Sequence, residues 1–246
     1  MKIPRRPSVD GSRPALRPVL GQRPPERVAA AVLLLHGGQA EALQAPPLLN
    51  LPALRMQPFA GAIARATAPA EVLVARVRYR HRGWNGAEAH PVADTVRALG
   101  ELRDLVGPVP VVLVGHSMGA RAALRAAGEP EVKGVVALAP WCPPGEPVDH
   151  LRGRTVVALH DESDRITAAP ETWSLLGRAE AAGAQVLSIR MSPGGHTMLR
   201  GAPLWHRTAA EATAALLGLG PLPTGPLKAP RRTGGGSLRI ACRDAS

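Results

Sequence analysis

The segment that most constrains the fold runs from Val109 to Ala127, where an apolar strand pattern passes directly into a helical one. The two patterns meet at Gly-His-Ser-Met-Gly, residues 115–119, which fits G-x-S-x-G. A turn this sharp leaves no room for a Cβ atom at either glycine, and it holds the serine in a strained conformation that lifts its hydroxyl clear of the sheet. The segment therefore predicts Ser117 as a nucleophile at the end of a buried strand.

Apolar runs alternate with amphipathic patterns along the rest of the chain. Strands are predicted at Val28–His36, Val72–Tyr79, Val109–Gly115, Val132–Ala139, Thr155–His160 and Gln185–Met191, and helices at Val92–Val106, Met118–Ala127, Glu171–Ala182 and Leu204–Leu217. A further helix is expected within 48–67, where Pro52 and Pro58 interrupt the pattern. This alternation predicts an α/β fold: a mostly parallel sheet with helices on both faces and the active site at the carboxyl ends of its strands.

The patterned sequence forms one predicted domain, 27–218, between tails at 1–26 and 219–246 that are rich in proline and arginine and expected to be mostly disordered. The chain has 30 Lys and Arg against 19 Asp and Glu, a net charge of +11. Such a charge would suit a nucleic-acid partner. However, the basic residues are scattered or lie in the tails, and no aromatic residues interleave with those in the tails. Nucleic-acid binding is therefore not predicted.

Cysteine usage and the absence of sorting signals bear on the compartment. Cys142 and Cys242 are the two cysteines, and Cys242 lies in the predicted tail, so no disulfide is expected. The N-terminal segment has no apolar stretch of the kind that a secretory signal needs. No apolar run approaches the roughly 20 residues of a membrane span. We therefore expect a cytoplasmic protein without membrane association, and the oligomeric state stays open.

A serine nucleophile needs a general base, and His196 is the predicted one. It lies in Gly-Gly-His-Thr-Met, residues 194–198, directly after the last predicted strand. The two glycines form a flexible turn that can present an imidazole over the strand ends. Among the eight histidines, His206 also follows the acid loop in the chain, but it lies in a helical pattern.

The third catalytic group is expected in the loop after the fifth predicted strand, where three carboxylates compete. Asp164 lies deepest in this loop and is the predicted partner of the imidazole. Asp161 is better placed to cap the turn at the start of the loop. Glu162 is the weakest of the three candidates.

Two backbone N–H groups are expected to stabilise the oxyanion. One is the amide of Met118, immediately after the nucleophile. The other is the amide of Gly38 in the loop that follows the first predicted strand, since glycine lets the backbone approach a substrate oxygen closely. Gln39 is the alternative donor.

These segments together resemble the α/β-hydrolase superfamily. LLLHGG looks like its oxyanion loop, VVLVGHSMGA its nucleophile elbow, ALHDESDRIT its acid loop and GGHTML its histidine loop. The order of Ser117, Asp164 and His196 along the chain matches the family order, and the resemblance spans residues 28–217. It implies the α/β-hydrolase fold and a hydrolase that works through an acyl-enzyme intermediate without a cofactor or a metal. The family's first antiparallel strands are not evident, so a shortened sheet is expected.

The site is predicted to lack a cap domain. In family members with lids, the lid usually lies between the strand after the elbow and the acid-bearing strand, and here residues 140–154 are too few for one. The resemblance thus implies an open site or one covered by the 39–57 loop. Gln39, Trp84 and Trp141 are the candidate residues for lining the pocket.

A carboxylesterase acting on small, soluble acyl substrates is the function that the sequence favours. A thioesterase or a small peptidase would use the same three side chains, and the sequence does not separate these activities. A non-catalytic binding protein that retains the fold is the remaining alternative. Pocket shape, which decides the substrate, is not readable from sequence.

Overall fold

A computed structural model describes residues 13–19, 25–47 and 49–223. Its strands are β1 (Leu16–Pro18), β2 (Ala30–Leu35), β3 (Val72–Val77), β4 (Val111–His116), β5 (Val132–Leu138), β6 (Thr155–Asp161) and β7 (Gln185–Met191). The helices are α1 (Leu51–Thr67), α2 (His90–Val106), α3 (Met118–Arg125), α4 (Ala169–Ala181) and α5 (Ala202–Leu216). Each predicted strand and helix is present, with ends that differ by a few residues.

The strands form one sheet in the order β1-β3-β2-β4-β5-β6-β7. All neighbouring pairs are parallel except β1 and β3, which are antiparallel. The predicted α/β-hydrolase architecture is thereby confirmed, with a single antiparallel strand at its amino-terminal edge. No cap domain lies between β5 and β6, where the described chain forms only a loop and one short 3-10 turn.

Apolar side chains fill both faces of the sheet. Leu33 and Leu35 of β2 point into the core beneath α2, α3 and α4, while Val32 and Leu34 point into the core beneath α1 and α5. This explains why the central strands read as continuous apolar runs: a strand covered on both sides has no polar face. Within the described residues, no helix has the length and hydropathy that a membrane span requires.

Strand β1 corrects the prediction that residues 1–26 form a disordered lead-in. Leu16 packs in the core, and Pro18 is accommodated because it lies on an edge strand. The backbone amides of Ala15 and Leu16 donate hydrogen bonds to the two carboxylate oxygens of Glu101 on α2, at 2.9 and 2.8 Å. These contacts join segments about 85 residues apart, so no local sequence pattern could predict them. The remaining parts of the two predicted tails lie mostly outside the described residues.

Helix α1 continues through Pro58. Proline removes one backbone hydrogen bond from a helix interior. The helix nevertheless buries Met56, Phe59, Ala60 and Ile63 on one face, against α5 and the sheet. Tertiary packing of this face outweighs the local penalty, and it fixes the loop between β2 and α1 at the carboxyl edge of the sheet.

Candidate active site

Ser117 occupies the turn between β4 and α3 with φ 54° and ψ −119°, a backbone conformation that L-residues rarely adopt. The turn is as tight as the sequence predicted. A Cβ atom at Gly115 would lie 2.4 Å from the Gly119 carbonyl oxygen, and one at Gly119 would lie 2.4 Å from the Leu35 carbonyl oxygen. The N–H of Ser117 donates to the Leu138 carbonyl at 3.0 Å, which ties the turn to β5.

His196 lies in the loop after β7 and faces the serine. Its Nε2 atom is 3.1 Å from Ser117 Oγ, and its Nδ1 atom is 2.9 Å from Asp164 Oδ2. The imidazole is 13% exposed, so one edge remains accessible from solvent. The structure thus brings together the three side chains that the sequence singled out, in the order serine, histidine, carboxylate.

The Asp164 side chain is completely buried and accepts several hydrogen bonds. Besides His196, its donors are the amides of Ile166 and Thr167, at 2.8 and 3.2 Å, and His160 Nε2 at 3.2 Å. Burial on its own would raise the pKa of this carboxyl, but the hydrogen bonds from His160, His196 and the two amides overcome it and hold the pKa well below the ordinary range. Asp164 is therefore ionised throughout the neutral range.

The other two carboxylates of the acid loop have different surroundings. Asp161 Oδ1 accepts the N–H and the hydroxyl of Ser163, both at 2.8 Å, and its Oδ2 accepts the N–H of Gly195 at 2.8 Å. It thereby caps the turn, as expected from its position, and also fastens the acid loop to the histidine loop. Glu162 is 61% exposed and pairs with Arg190 on β7.

Sequence reasoning missed two side chains that contact the acid. The Thr167 hydroxyl lies 2.9 Å from Asp164 Oδ2 and 3.1 Å from His196 Nδ1. His160 is fully buried and also bonds Thr172 through Nδ1, at 2.9 Å. A hydroxyl three residues after the acid was the one signal available for Thr167, whereas His160 looked like an ordinary strand-end residue.

His116, the residue before the nucleophile, is buried next to His196. Its Nε2 donates to the His196 carbonyl oxygen at 2.9 Å. Burial, followed by the nearby His196, lowers the pKa of His116 to about 3. His116 therefore remains neutral and holds the histidine loop through a single hydrogen bond.

We expect the free energy of unfolding to fall as the pH drops below 6.5, because the unfolded chain then protonates His116 while the folded one does not. The contribution is complete above pH 6.5 and is lost progressively towards pH 3. Between pH 7.5 and 5 the loss from His116 should be about 2 kcal/mol. Urea unfolding of the parent and of His116→Gln, which keeps a donor, measures it. An equal loss in both proteins would contradict this assignment.

The predicted oxyanion loop packs closely against the nucleophile. A Cβ atom at Gly37 would lie 3.3 Å from Ser117 Cβ. Among backbone hydrogen bonds between described residues, none uses the N–H of Gly38 or of Met118 as donor. The N–H of Gln39, in contrast, donates to the Arg82 carbonyl at 3.0 Å. The alternative donor is thus already engaged, which favours Gly38 and Met118.

Gly38→Ala is expected to lower kcat/KM by about 10²- to 10³-fold, the typical cost of one oxyanion donor. A Cβ atom at this position would lie 2.4 Å from the Arg82 carbonyl oxygen and 2.4 Å from Met118 Cε, so the loop must move. Gly100→Ala is the matched control, because a Cβ atom there meets nothing within 4 Å. Similar activity in the two variants would argue against an oxyanion role for this loop.

Of the three candidate pocket residues, Trp84 has a different position from the one expected. It is only 2% exposed, and the guanidinium of Arg121 lies 3.8 Å from its ring centroid. The same guanidinium lies 4.4 Å from the centroid of the Trp141 ring and forms an ion pair with Glu146. Trp84 therefore packs in the core. Trp141 is only partly buried, and its backbone N–H donates to the Ser117 carbonyl at 3.3 Å.

Hydrogen bonds join the first part of the 39–57 loop to the loop that follows β3. The Ala42 carbonyl accepts a hydrogen bond from the N–H of Gly83 at 3.0 Å, and the Ala42 N–H donates to Asn85 Oδ1 at 2.8 Å. The Gln44 carbonyl accepts the N–H of Arg82 at 2.9 Å. These bonds hold residues 42–44 against a neighbouring loop. Gln39 is exposed at the start of this segment.

Comparison with solved structures places the chain among proteins of the same fold. Est1E from Butyrivibrio proteoclasticus, solved with bound ferulic acid, superposes with a TM-score of 0.59 at 11% identity, covering 86% of this chain and 98% of that one. A serine hydrolase without a lid from Xanthomonas campestris gives 0.54 at 19% identity, with coverages of 87% and 91%. An esterase from Pyrococcus furiosus gives 0.58 at 15% identity, with coverages of 76% and 82%.

A search of curated protein sequences finds no match. A family model, in contrast, matches most of the chain, residues 32–245, and this span contains the elbow, the acid loop and the histidine loop. Together with the seven-stranded sheet, this match establishes that the chain belongs to the alpha/beta hydrolase family.

Proposed function

We propose that this protein is a serine hydrolase that cleaves carboxylic esters of small substrates through an acyl-enzyme intermediate. The observation that carries the proposal is the continuous series of contacts from Asp164 through His196 to Ser117, at 2.9 and 3.1 Å. A buried carboxylate, an imidazole with one accessible edge and a strained serine at a helix start are the parts that nucleophilic acyl transfer requires.

In the first half of the reaction, Ser117 Oγ attacks the ester carbonyl while His196 Nε2 accepts its proton. Asp164 accepts a hydrogen bond from the Nδ1–H of the imidazole, which fixes the tautomer and stabilises the imidazolium. The N–H groups of Gly38 and Met118 donate to the oxyanion. His196 then returns the proton to the departing alcohol, and the acyl group remains on the serine.

In the second half, water replaces the alcohol. His196 Nε2 takes a proton from this water as it attacks the acyl carbonyl, and the same two amides stabilise the second oxyanion. Collapse of the intermediate breaks the bond to Ser117 Oγ, which regains its proton from His196. The carboxylic acid leaves, and the enzyme returns to its starting state without any cofactor.

Two observations favour esters of small substrates. Two of the structural relatives are described as an esterase or as a complex with ferulic acid, and another as a serine hydrolase without a lid. The described chain likewise has no cap over the elbow. An uncovered site of this kind suits small, soluble acyl groups better than long lipid chains.

The test is hydrolysis of p-nitrophenyl esters from acetate to long-chain acyl, alongside matched thioesters and anilides. We expect turnover of the short esters by the parent protein, with little on anilides. Turnover confined to thioesters or anilides would keep the serine mechanism and replace the ester assignment. No turnover of any substrate by folded protein would contradict the proposed function.

A further inference from the structure

A pair of arginines faces each other at the amino-terminal edge of the sheet. In the antiparallel pairing of β1 with β3, Arg17 lies directly opposite Arg76. Residues paired in this way have Cβ atoms about 5 Å apart, and like charges in such positions destabilise a sheet. Arg78 follows two residues later, and its guanidinium donates to the Arg13 carbonyl at 2.6 Å. Several positive charges are therefore concentrated along one short edge.

Nearby carboxylates do not neutralise this pair. Among the described residues, neither Arg17 nor Arg76 forms an ion pair, and the Nε atoms of Arg76 and Arg78 are buried without a hydrogen-bond partner. Burial, followed by the charge of Arg17, lowers the pKa of both Arg76 and Arg78. Arginine nonetheless remains charged at neutral pH. Within the described part of the chain, this edge therefore has no carboxylate that pairs with Arg17 or Arg76.

Two acidic side chains near this edge, Asp94 and Glu101, are engaged elsewhere. Asp94 Oδ1 accepts hydrogen bonds from Arg80 Nε at 2.7 Å and from the Arg97 guanidinium at 3.2 Å. Asp94 Oδ2 accepts a hydrogen bond from the backbone N–H of Arg80 at 2.8 Å. Glu101 accepts the two amides at the start of β1. Neither carboxylate is available to pair with Arg17 and Arg76.

A narrow cleft, open to solvent, lies beside Arg76, between β1, β2, β3 and the first turns of α1. It is lined by Val19, Leu34, His36, Ala53, Met56, Gln57, Ala60 and Arg76. His36, which lines the cleft, directly precedes Gly37 and Gly38 in the chain. Its pKa is lowered to about 4, mainly by burial, and its Nδ1 donates to the Gly37 carbonyl at 2.7 Å. The cleft therefore lies behind the oxyanion loop and has no acidic residue among its described lining.

We propose that a small oxyanion, the phosphate or carboxylate group of a ligand, binds at the solvent-open mouth of this cleft, held by Arg76 of its lining and by Arg17, which lies opposite Arg76 in the β1–β3 pairing. A guanidinium presents parallel N–H donors that match the oxygens of either group, and such charge-assisted bonds are among the strongest in proteins. Gln57 adds a side-chain amide to the wall. The bound anion supplies a counter-charge for these two arginines. Anion binding itself rests on none of the three residues around Ser117, whereas the assignment of the anion to the substrate rests on the proposed ester hydrolysis.

The probe is inorganic phosphate, and the readout is the melting temperature of the full chain in sodium phosphate against sodium chloride at equal ionic strength. We expect the parent to melt higher in phosphate, with a rise that follows RT ln(1 + [L]/Kd). Arg76→Gln should lose this rise, and Arg17→Gln should weaken the Kd by about tenfold or more. Arg200→Gln, which removes the same charge from an exposed position, should retain it.

The second variant keeps the test decisive if Arg76→Gln fails to fold. An equal phosphate-dependent rise in all three variants, or no rise in the parent beyond that in chloride, would overturn the proposal. The source of the anion is then read from ester hydrolysis. If the cleft holds an anionic group of the substrate, phosphate inhibits cleavage of half-esters of dicarboxylic acids and spares neutral esters. If it holds a free anion, phosphate alters both alike.

Discussion

Ser117→Ala is expected to lower kcat on the best ester by about 10⁴- to 10⁶-fold, the largest effect of any single substitution in this protein. In the proposed mechanism the Ser117 hydroxyl forms the acyl-enzyme, so its removal leaves only oxyanion stabilisation and binding. The folded state should survive, because the serine side chain contributes little to the core. Steady-state hydrolysis of a p-nitrophenyl ester measures the loss, and Ser174→Ala, exposed on α4, is the matched control.

The double variant Ser117→Ala with His196→Ala tests whether the two residues act together in one mechanism or contribute independently. Residues that act as a unit lose most of their activity when either is removed, so the second change should cost little more. If the two losses multiplied instead, the 3.1 Å contact between Nε2 and Oγ would not be part of a shared mechanism.

Asp164→Asn is expected to lower kcat by about 10⁴-fold. Asparagine fills the same space, but its amide donates where the carboxylate accepted, so His196 no longer keeps its proton on Nδ1. Oδ2 of Asp164 also accepts hydrogen bonds from His160 and Thr167. Melting temperature and kcat should both be measured, because these bonds contribute to stability as well as to positioning.

Asp161→Asn separates the two carboxylates of the acid loop. Asp161 contacts the backbone of Ser163 and Gly195 and does not contact the His196 ring in any described hydrogen bond. We expect a lower melting temperature and a loss in kcat of only about 10- to 100-fold, from looser positioning of the histidine loop. A larger kcat loss for Asp161→Asn than for Asp164→Asn would exchange the roles of the two residues.

The sequence was sufficient to predict the core strands and the order of the candidate site residues along the chain, because both depend on local patterns. Gly115 and Gly119 predict a turn too tight for Cβ atoms. In the structure, a Cβ atom built at either position would lie 2.4 Å from a backbone oxygen. A flexible glycine pair after the last strand likewise led to the prediction of His196 as the general base, and in the structure its Nε2 atom lies 3.1 Å from Ser117 Oγ.

Other features depend on contacts between distant segments and were not predictable in this way. Strand β1 has three residues, and its pairing depends on β3 and on Glu101 far along the chain. The packing of Trp84 beneath Arg121 joins a loop to a helix, so its burial has no local signature. Thr167 and His160 acquire their significance only when the acid loop folds back on Asp164.

The central claim is that Ser117 is an activated nucleophile. The most direct measurement is labelling with a fluorophosphonate probe, followed by mass spectrometry of the proteolysed protein. The proposed mechanism predicts one adduct, on Ser117, that is absent in Ser117→Ala and forms far more slowly in His196→Ala. No adduct on folded parent protein, or an adduct on a different residue at the same rate in all three proteins, would contradict it.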